Sequence, residues 1–314
     1  MGSATGRDDA GHMTRFGVPP GSIVVGVDGS EDSDRAVTWA AGQAVLERRA
    51  LAIVHSADEL SLRDSVWLDS QGIDHRELKT ALNEAAGATV TAAREVAISA
   101  APGVEVVTAL VGTDPRLALV DLSEEAHLVA LGSRGRGPVR TALLGSVSAS
   151  VARQAHCPVV VCRPPGDATP ATNRVVVGAD GSPASRPVLE FAFEQASLLQ
   201  APLTVMHCFW DVLVATRGPG LVTPGESEDL SDLRLLLAQS VAGFAEKYPD
   251  VEVAQELARG LVDECLVDQA PDAGLLVVGR SQAPSGWSRF LHASCSLAVL
   301  ERAHTTVAVV PESV

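Results

Sequence analysis

The chain carries one sequence twice. "SIVVGVDGSEDSDRAVTWAAGQAVLERRALAIVHS" begins at Ser22 and "RVVVGADGSPASRPVLEFAFEQASLLQAPLTVMHC" begins at Arg174. Asp28 matches Asp180, Ser30 matches Ser182, Trp39 matches Phe191 and His55 matches His207, all 152 positions apart. Further on, "PGVEVV" matches "PDVEVA" and "AHLVALG" matches "AGLLVVG" at 147 positions, so the second copy is shorter by five residues. A unit of this length is a whole domain; solenoid repeats run about 20–50 residues. The expected organisation is a polar, disordered tail over 1–20, a first domain over 21–163, a linker over 164–173 rich in Pro, Gly, Thr and Asp, and a second domain over 174–314.

Within each copy, short Val/Ile/Leu runs alternate with longer helical patterns. The first copy predicts strands near 23–28, 51–55, 104–110, 127–132 and 157–162, with helices near 33–48, 76–100, 114–126 and 146–155. The second predicts strands near 174–179, 202–207, 251–257, 274–279 and 305–310. The strand runs are continuously apolar, as a sheet covered on both faces requires. Strand–helix alternation of this length gives right-handed crossovers. The fold class is therefore α/β: two tandem, doubly wound, five-stranded parallel sheets with helices on both faces. Such sheets bind ligands beyond the carboxyl ends of their strands, where the winding reverses.

Composition narrows the function classes. Hydrophobic residues make up 46% and aromatics only 4%, so Ala, Val and Leu must build the core. A formal net charge of −15 is the wrong sign for a nucleic-acid partner. No run approaches the ~20 apolar residues of a membrane span, and no apolar signal core opens the chain, so a cytoplasmic location is expected. The cysteines at 157, 162, 208, 265 and 295 form no C-x-x-C pair and read as small buried residues.

Two features stand at the expected strand ends. The first is Asp28-Gly29-Ser30, repeated at Asp180. It reads either as a turn with a helix cap or as an acceptor for ribose hydroxyls and adenine edges. The second is "LGSRGRGPVRTALLGSVS", residues 131–148, which gathers Arg134, Arg136 and Arg140 among glycines. Gly132 and Gly135 are expected to take positive φ and form an anion-binding nest. Gly145 and Ser146 open a helix whose free N–H groups and dipole favour an anion, with Ser146 or Ser148 adding a hydroxyl. Neither a Walker A loop nor a G-x-G-x-x-G fingerprint is present. His55 and His207 read as half-buried imidazoles satisfied by neighbouring backbone, and no hydrolytic triad has support.

Gly132-x2-Gly135-x9-Gly145-Ser146, paired with Asp28, resembles the ATP-binding pattern of the universal stress protein family, and the likeness covers both halves. The resemblance implies ATP, with Mg2+ as its companion, as the ligand. It places Asp28, Gly29 and Ser30 at ribose and adenine, the backbone of Val54 at adenine, and Gly132, Arg134, Gly135, Gly145, Ser146, Val147 and Ser148 around ribose and phosphates. It also implies homodimers, often formed through the last strand, a regulatory protein partner, and a role in stress or growth control without catalysis beyond a slow ATPase. A cyclic AMP site and a ligand-independent scaffold stay open as alternatives. In the second copy Asp180 and Gly279 remain, and Ser294 stands opposite Ser146. The second glycine, however, is Gln282 or Ala283, and Ala293 replaces Gly145. The second site is expected to be weak or empty, with Arg280 and Arg289 leaving some residual anion affinity.

Overall fold

The computed structural model describes residues 16–57, 75–135, 144–164, 173–209, 230–269, 273–281 and 287–313. Of the tail expected over 1–20, residues 1–15 lie outside them, as do 165–172 of the linker expected over 164–173. So do Arg136 and Arg140 and the stretches 58–74 and 210–229. Residues 16–20 are not a disordered tail, since Val18 is buried and Phe16 packs against the same core.

In the first half the elements are β1 (Ile23–Gly26), α1 (Glu31–Glu47), β2 (Leu51–Ser56), α2 (His75–Ala100), β3 (Val106–Val111), α3 (Pro115–Leu122), β4 (Leu128–Gly132), α4 (Ser146–Gln154) and β5 (Val159–Cys162). The second half repeats them as β6 (Val175–Gly178), α5 (Arg186–Leu199), β7 (Leu203–Phe209), α6 (Ser231–Lys247), β8 (Val253–Arg259), α7 (Val262–Gln269), β9 (Leu275–Arg280), α8 (Trp287–Arg302) and β10 (Val307–Pro311). Local sequence explains the ends. Ser30 caps α1 by accepting from the Ser33 N–H at 3.2 Å, and Asp114 caps α3 ahead of Pro115. Arg48 and Gln200 stop α1 and α5 in the left-handed conformation, at φ 55° and 50°, at equivalent positions of the two copies.

The two five-stranded sheets join into one. Strand order is β3-β2-β1-β4-β5-β10-β9-β6-β7-β8, and every neighbouring pair is parallel except β5 with β10. Those last strands run antiparallel, with Val160 opposite Ala308. The pairing of last strands that the family resemblance implies between chains is thus made here between the two halves of one chain. Two apolar cores follow, one on each face of the long sheet. Ala36, Ala40 and Ala97 of α1 and α2 pack with Val188 and Phe193 of α5 in one core. Leu119 and Val151 of α3 and α4 pack with Leu266 and Val299 of α7 and α8 in the other. Alanine in the helices lets the backbones lie close to the sheet, which is how a chain poor in aromatics reaches interior packing density.

The seam holds a polar core of its own. The Gln43 amide donates to Gln195 at 2.9 Å, and these are the same residue in the two copies. Glu47 accepts from Gln43 and lies 2.7 Å from His127 and 3.1 Å from Arg49. Burial alone would raise the Glu47 pKa, but hydrogen bonds from His127 and Gln43 outweigh it and hold the carboxyl below its ordinary value. A buried polar set persists only when its members are satisfied, and this one ties α1 of one half to α5 of the other.

Candidate functional site

Strand order reverses between β1 and β4, and a cleft of about 650 Å³ opens there at the carboxyl ends of the strands. Asp28, Val54, Gly132, Arg134, Gly135, Gly145, Ser146, Val147 and Ser148 all line it. Residues more than a hundred positions apart are brought together because β1 and β4 are neighbours in the sheet.

The first turn is Asp28-Gly29-Ser30. Asp28 Oδ1 accepts from the Ser30 N–H at 3.0 Å, and Gly29 sits at φ 72°, where a side chain is strained. The same turn recurs at Asp180, with Gly181 at φ 77° and the Ser182 N–H 2.8 Å from Asp180 Oδ1. Gly29 and Ser30 do not line the cleft: one makes the turn and the other caps α1. Asp28 does, so its turn-making and its exposure to the cleft coexist.

The glycine loop departs from the expected nest. Gly132, Gly135 and Gly145 are not among the positive-φ glycines of the described residues, and Gly145 has φ −72° and ψ 149° as the N-cap of α4. What these positions lack is room. A Cβ on Gly132 would lie 2.6 Å from the carbonyl carbon of Asp32 and 2.9 Å from the Ser33 nitrogen. On Gly135 it would overlap Asp28 Oδ2, and on Gly145 it would sit 3.3 Å from Ser133 O. Gly132 therefore lets the end of β4 pass the start of α1. Gly135 keeps the Asp28 carboxylate and the loop in register. The Gly145 N–H donates to Ser133 O at 2.7 Å, closing the loop onto the first turn of α4. Beyond it, Ser146 and Val147 present the open end of the helix to the cleft, where first-turn N–H groups have no intrahelical partner. Ser148 is committed otherwise: its buried hydroxyl donates to Gly132 O at 2.7 Å.

Two residues that sequence reasoning missed complete the site. Asp32 Oδ2 accepts from Ser133 Oγ at 2.7 Å and from the Arg134 N–H at 3.0 Å, clamping the loop to α1. The equivalent residues in the second copy are Ala184 and, for Ser133, Arg280, so both ends of the clamp vanish together. That joint loss is a signal the repeat alone could have supplied. Ser56 is the other. The Val27 N–H donates to Val54 O at 2.9 Å, so the Val54 backbone is already engaged in the β1–β2 ladder and Val54 offers the cleft its side chain. Backbone direction alternates along a strand, so Ser56 points the same way two residues on, past the point where β1 has ended. His55 Nδ1 lies 2.7 Å from Val27 O, and His207 Nδ1 lies 2.9 Å from Ala179 O, the backbone partners expected for both imidazoles.

The second half has a smaller cleft of about 370 Å³ at the matching place. Asp180 and Gly279 line it, but its chemistry is different. Its charged lining, among the described residues, is Asp180, Asp263 and Glu312, against Asp28 and Arg134 in the first. A Cβ on Gly279 would overlap the Glu312 carboxylate, so an acidic group occupies the space beside the strand end. Two expectations need correcting here. Ser294 does not open a helix: α8 starts at Trp287 and runs through it, so its N–H belongs to the helix interior. Arg280 turns away from the cleft and donates to Arg153 O at 2.9 Å and to Ala155 O, closing the end of α4 across the seam. Gln282 and Ala283 lie outside the described residues, as do the side chains of Arg289 and Ala293.

The profile of the universal stress protein family matches residues 21–163 and again 171–311. The chain belongs to the universal stress protein family. Universal stress proteins of Mycobacterium tuberculosis and Mycobacterium bovis are 35% identical over 302 residues, covering 93% of this chain and 97% of theirs. Among solved structures, a universal stress protein from Archaeoglobus fulgidus superposes with TM-score 0.65 at 19% identity, over 93% of this chain and 96% of that one. A universal stress protein from Pseudomonas aeruginosa does so with TM-score 0.53 at 18% identity. These likenesses cover 93% of the chain and so take in both halves, and the tandem arrangement is shared as well as the domain. Among the described residues of this universal stress protein, no helix is long and apolar enough to cross a membrane, and no cluster of His, Cys, Asp and Glu is arranged to hold a metal ion.

Proposed function

We propose that this universal stress protein binds an adenine nucleotide in its first half and acts in the stress response through the bound and free forms. One observation carries the reading. A carboxylate at the end of β1, an apolar slot and an open helix N-terminus line a single cleft in the first half, and the equivalent cleft has lost the last of these. The apolar walls, Val54, Val111, Leu119, Leu131 and Val147, suit a planar base. The strand-end backbone of Ser56 would read its edge. Asp28 would accept from ribose hydroxyls. The first turn of α4, with Arg134 beside it, would take the phosphates. Mg2+ would arrive with a triphosphate, coordinated mainly by phosphate oxygens and water.

The reading is of binding without turnover, with the second half as a structural or regulatory partner. Equilibrium dialysis with ATP tests it, and one nucleotide per chain is the expected stoichiometry. Failure of the intact protein to bind any adenine nucleotide overturns it and leaves the scaffold reading. Competition between ATP and cyclic AMP decides how many phosphates the helix end prefers. Phosphate release proportional to protein and lost in Asp28→Ala would replace binding with catalysis.

A further inference from the structure

Helix α4 is held at its two ends by different halves of the chain. Its first turn is fixed from within the first half: the Gly145 N–H donates to Ser133 O and the Ser148 hydroxyl to Gly132 O, both at 2.7 Å. Its last turn is fixed from the second half. The Arg280 guanidinium donates from Nη1 to Arg153 O at 2.9 Å and from Nη2 to Ala155 O. The last carbonyls of a helix lack intrahelical donors, so this side chain supplies two N–H groups and a full positive charge at the negative end of the dipole. At nine residues α4 is too short to hold its own conformation. Its placement follows from these contacts and from Val151, packed in the core it shares with Val299 and Leu300 of α8. Position 280 is the counterpart of Ser133. Ser133 serves its own half, as one arm of the clamp on Asp32; in the second half the acceptor is Ala184, and the arginine reaches across the β5–β10 seam instead. The reach is also made the other way, since Arg163 after β5 donates through Nη2 to Leu300 O in the last turn of α8. Of the two contacts, the one on α4 bears on a ligand, because α4 begins at the mouth of the first cleft.

We propose that Arg280 of the second half is a positioning residue for phosphate binding in the first: it fixes the far end of the helix whose open end faces the cleft. The inference rests on the nucleotide reading above and names how that site is held. Two physical effects act together. The first is geometric. N–H groups at a helix N-terminus stabilise an oxyanion when they are aimed at it in advance, and an α4 freed at its last turn can tilt about its first-turn anchors. The second is electrostatic. Without Arg280 the last-turn carbonyls lose their compensating cation, and a phosphate at the open end loses a positive charge about 13 Å away, one length of this helix, across low-dielectric protein. Both effects grow with the charge on the ligand. Neither acts on the apolar walls that Val54, Val111 and Leu119 contribute from other elements. The second half thereby takes part in the site without binding a phosphate itself.

The test uses the whole chain with Arg280→Met, which removes the charge and both donors, and Arg280→Lys, which restores the charge. Equilibrium dialysis is run against adenosine, AMP and ATP. The loss in Arg280→Met should grow with phosphate number, from little for adenosine to about three- to tenfold for ATP, and be partly regained in Arg280→Lys. Hydrogen exchange of the ligand-free protein reads the positioning separately: amides of α4 should exchange faster in Arg280→Met than in wild type, and those of α3 should not. Unchanged ATP affinity in Arg280→Met, an equal loss for adenosine and ATP, or an α4 that exchanges at the wild-type rate would each overturn the proposal. A wild-type chain that binds no adenine nucleotide overturns the nucleotide reading and the phosphate role with it, a result told apart from the others by the unmutated protein alone. Should Arg280→Met fail to fold, Arg280→Lys decides. With one of two donors gone, its ATP affinity should fall below that of wild type while its adenosine affinity holds, and a variant equal to wild type for both ligands counts against the proposal.

Discussion

Two glycines three residues apart should fail in different ways. At Gly132 an added Cβ meets main-chain atoms of Asp32 and Ser33, which cannot swing aside. Gly132→Ala should therefore cost roughly 2–3 kcal/mol of stability, read from urea unfolding. At Gly135 the obstacle is the Asp28 carboxylate, the movable end of a side chain. Gly135→Ala should leave the unfolding midpoint nearly unchanged and weaken nucleotide binding at least about tenfold, since it displaces a ligand-facing group by tenths of an ångström to an ångström. Equal losses of stability in the two variants would contradict this division. Asp32→Ala belongs with them: it releases Ser133 and Arg134 and should cost about 1–2 kcal/mol. Gly279 in the second half resembles Gly135 and not Gly132: the atom nearest an added Cβ is a Glu312 carboxylate oxygen, the movable end of a side chain, with a Val188 methyl next at 3.2 Å.

At the level of elements, the contrast between the halves lies in where one helix begins. In the first half α4 starts at Ser146, at the mouth of the cleft; in the second α8 starts seven residues before the position that matches it. A helix N-terminus attracts an anion only within its first turn, so extending the helix past the cleft removes the attraction without changing the fold. Capping at α3 gives a prediction with a pH signature. Hydrogen bonds from Arg116 hold the Asp114 carboxyl down at about 2. A depressed folded pKa adds stability above the unfolded value and loses it as pH falls through the folded one. The stability gap between wild type and Asp114→Ala should thus be full at neutral pH and shrink progressively between about pH 5 and pH 1. A gap as large at pH 2 as at pH 7 in chemical denaturation would contradict the assignment. Most element boundaries were legible, because buried parallel strands must be apolar on both faces and helices announce their caps. The conformation of the glycine loop was not legible. Glycine is compatible with positive φ and with close approach alike, and only the neighbours of Gly132 and Gly135 reveal which one is used.

The whole molecule behaves as one body because the seam is both a sheet and a core. The β5–β10 pairing makes the sheet continuous, and each apolar core spans both halves. Unfolding in denaturant should show a single transition, and ATP bound in the first half should raise the midpoint for the entire chain. Two calorimetric transitions, only one of them shifted by ATP, would show the halves to be independent. Glu47 is the seam's most sensitive point. Glu47→Ala strips a buried partner from Gln43, Gln195, His127 and Arg49, and should cost on the order of 3 kcal/mol. Read by itself, the sequence determined the duplication, the α/β class, the order of elements and the strand ends at which to look for a site. Periodicity and repetition are local properties, written residue by residue. Which edges join, where Arg280 is committed and what stands beside Gly132 and Gly135 were decided only in three dimensions. Each of these depends on a partner far away in the chain, and equally apolar strands carry no mark of whom they will meet.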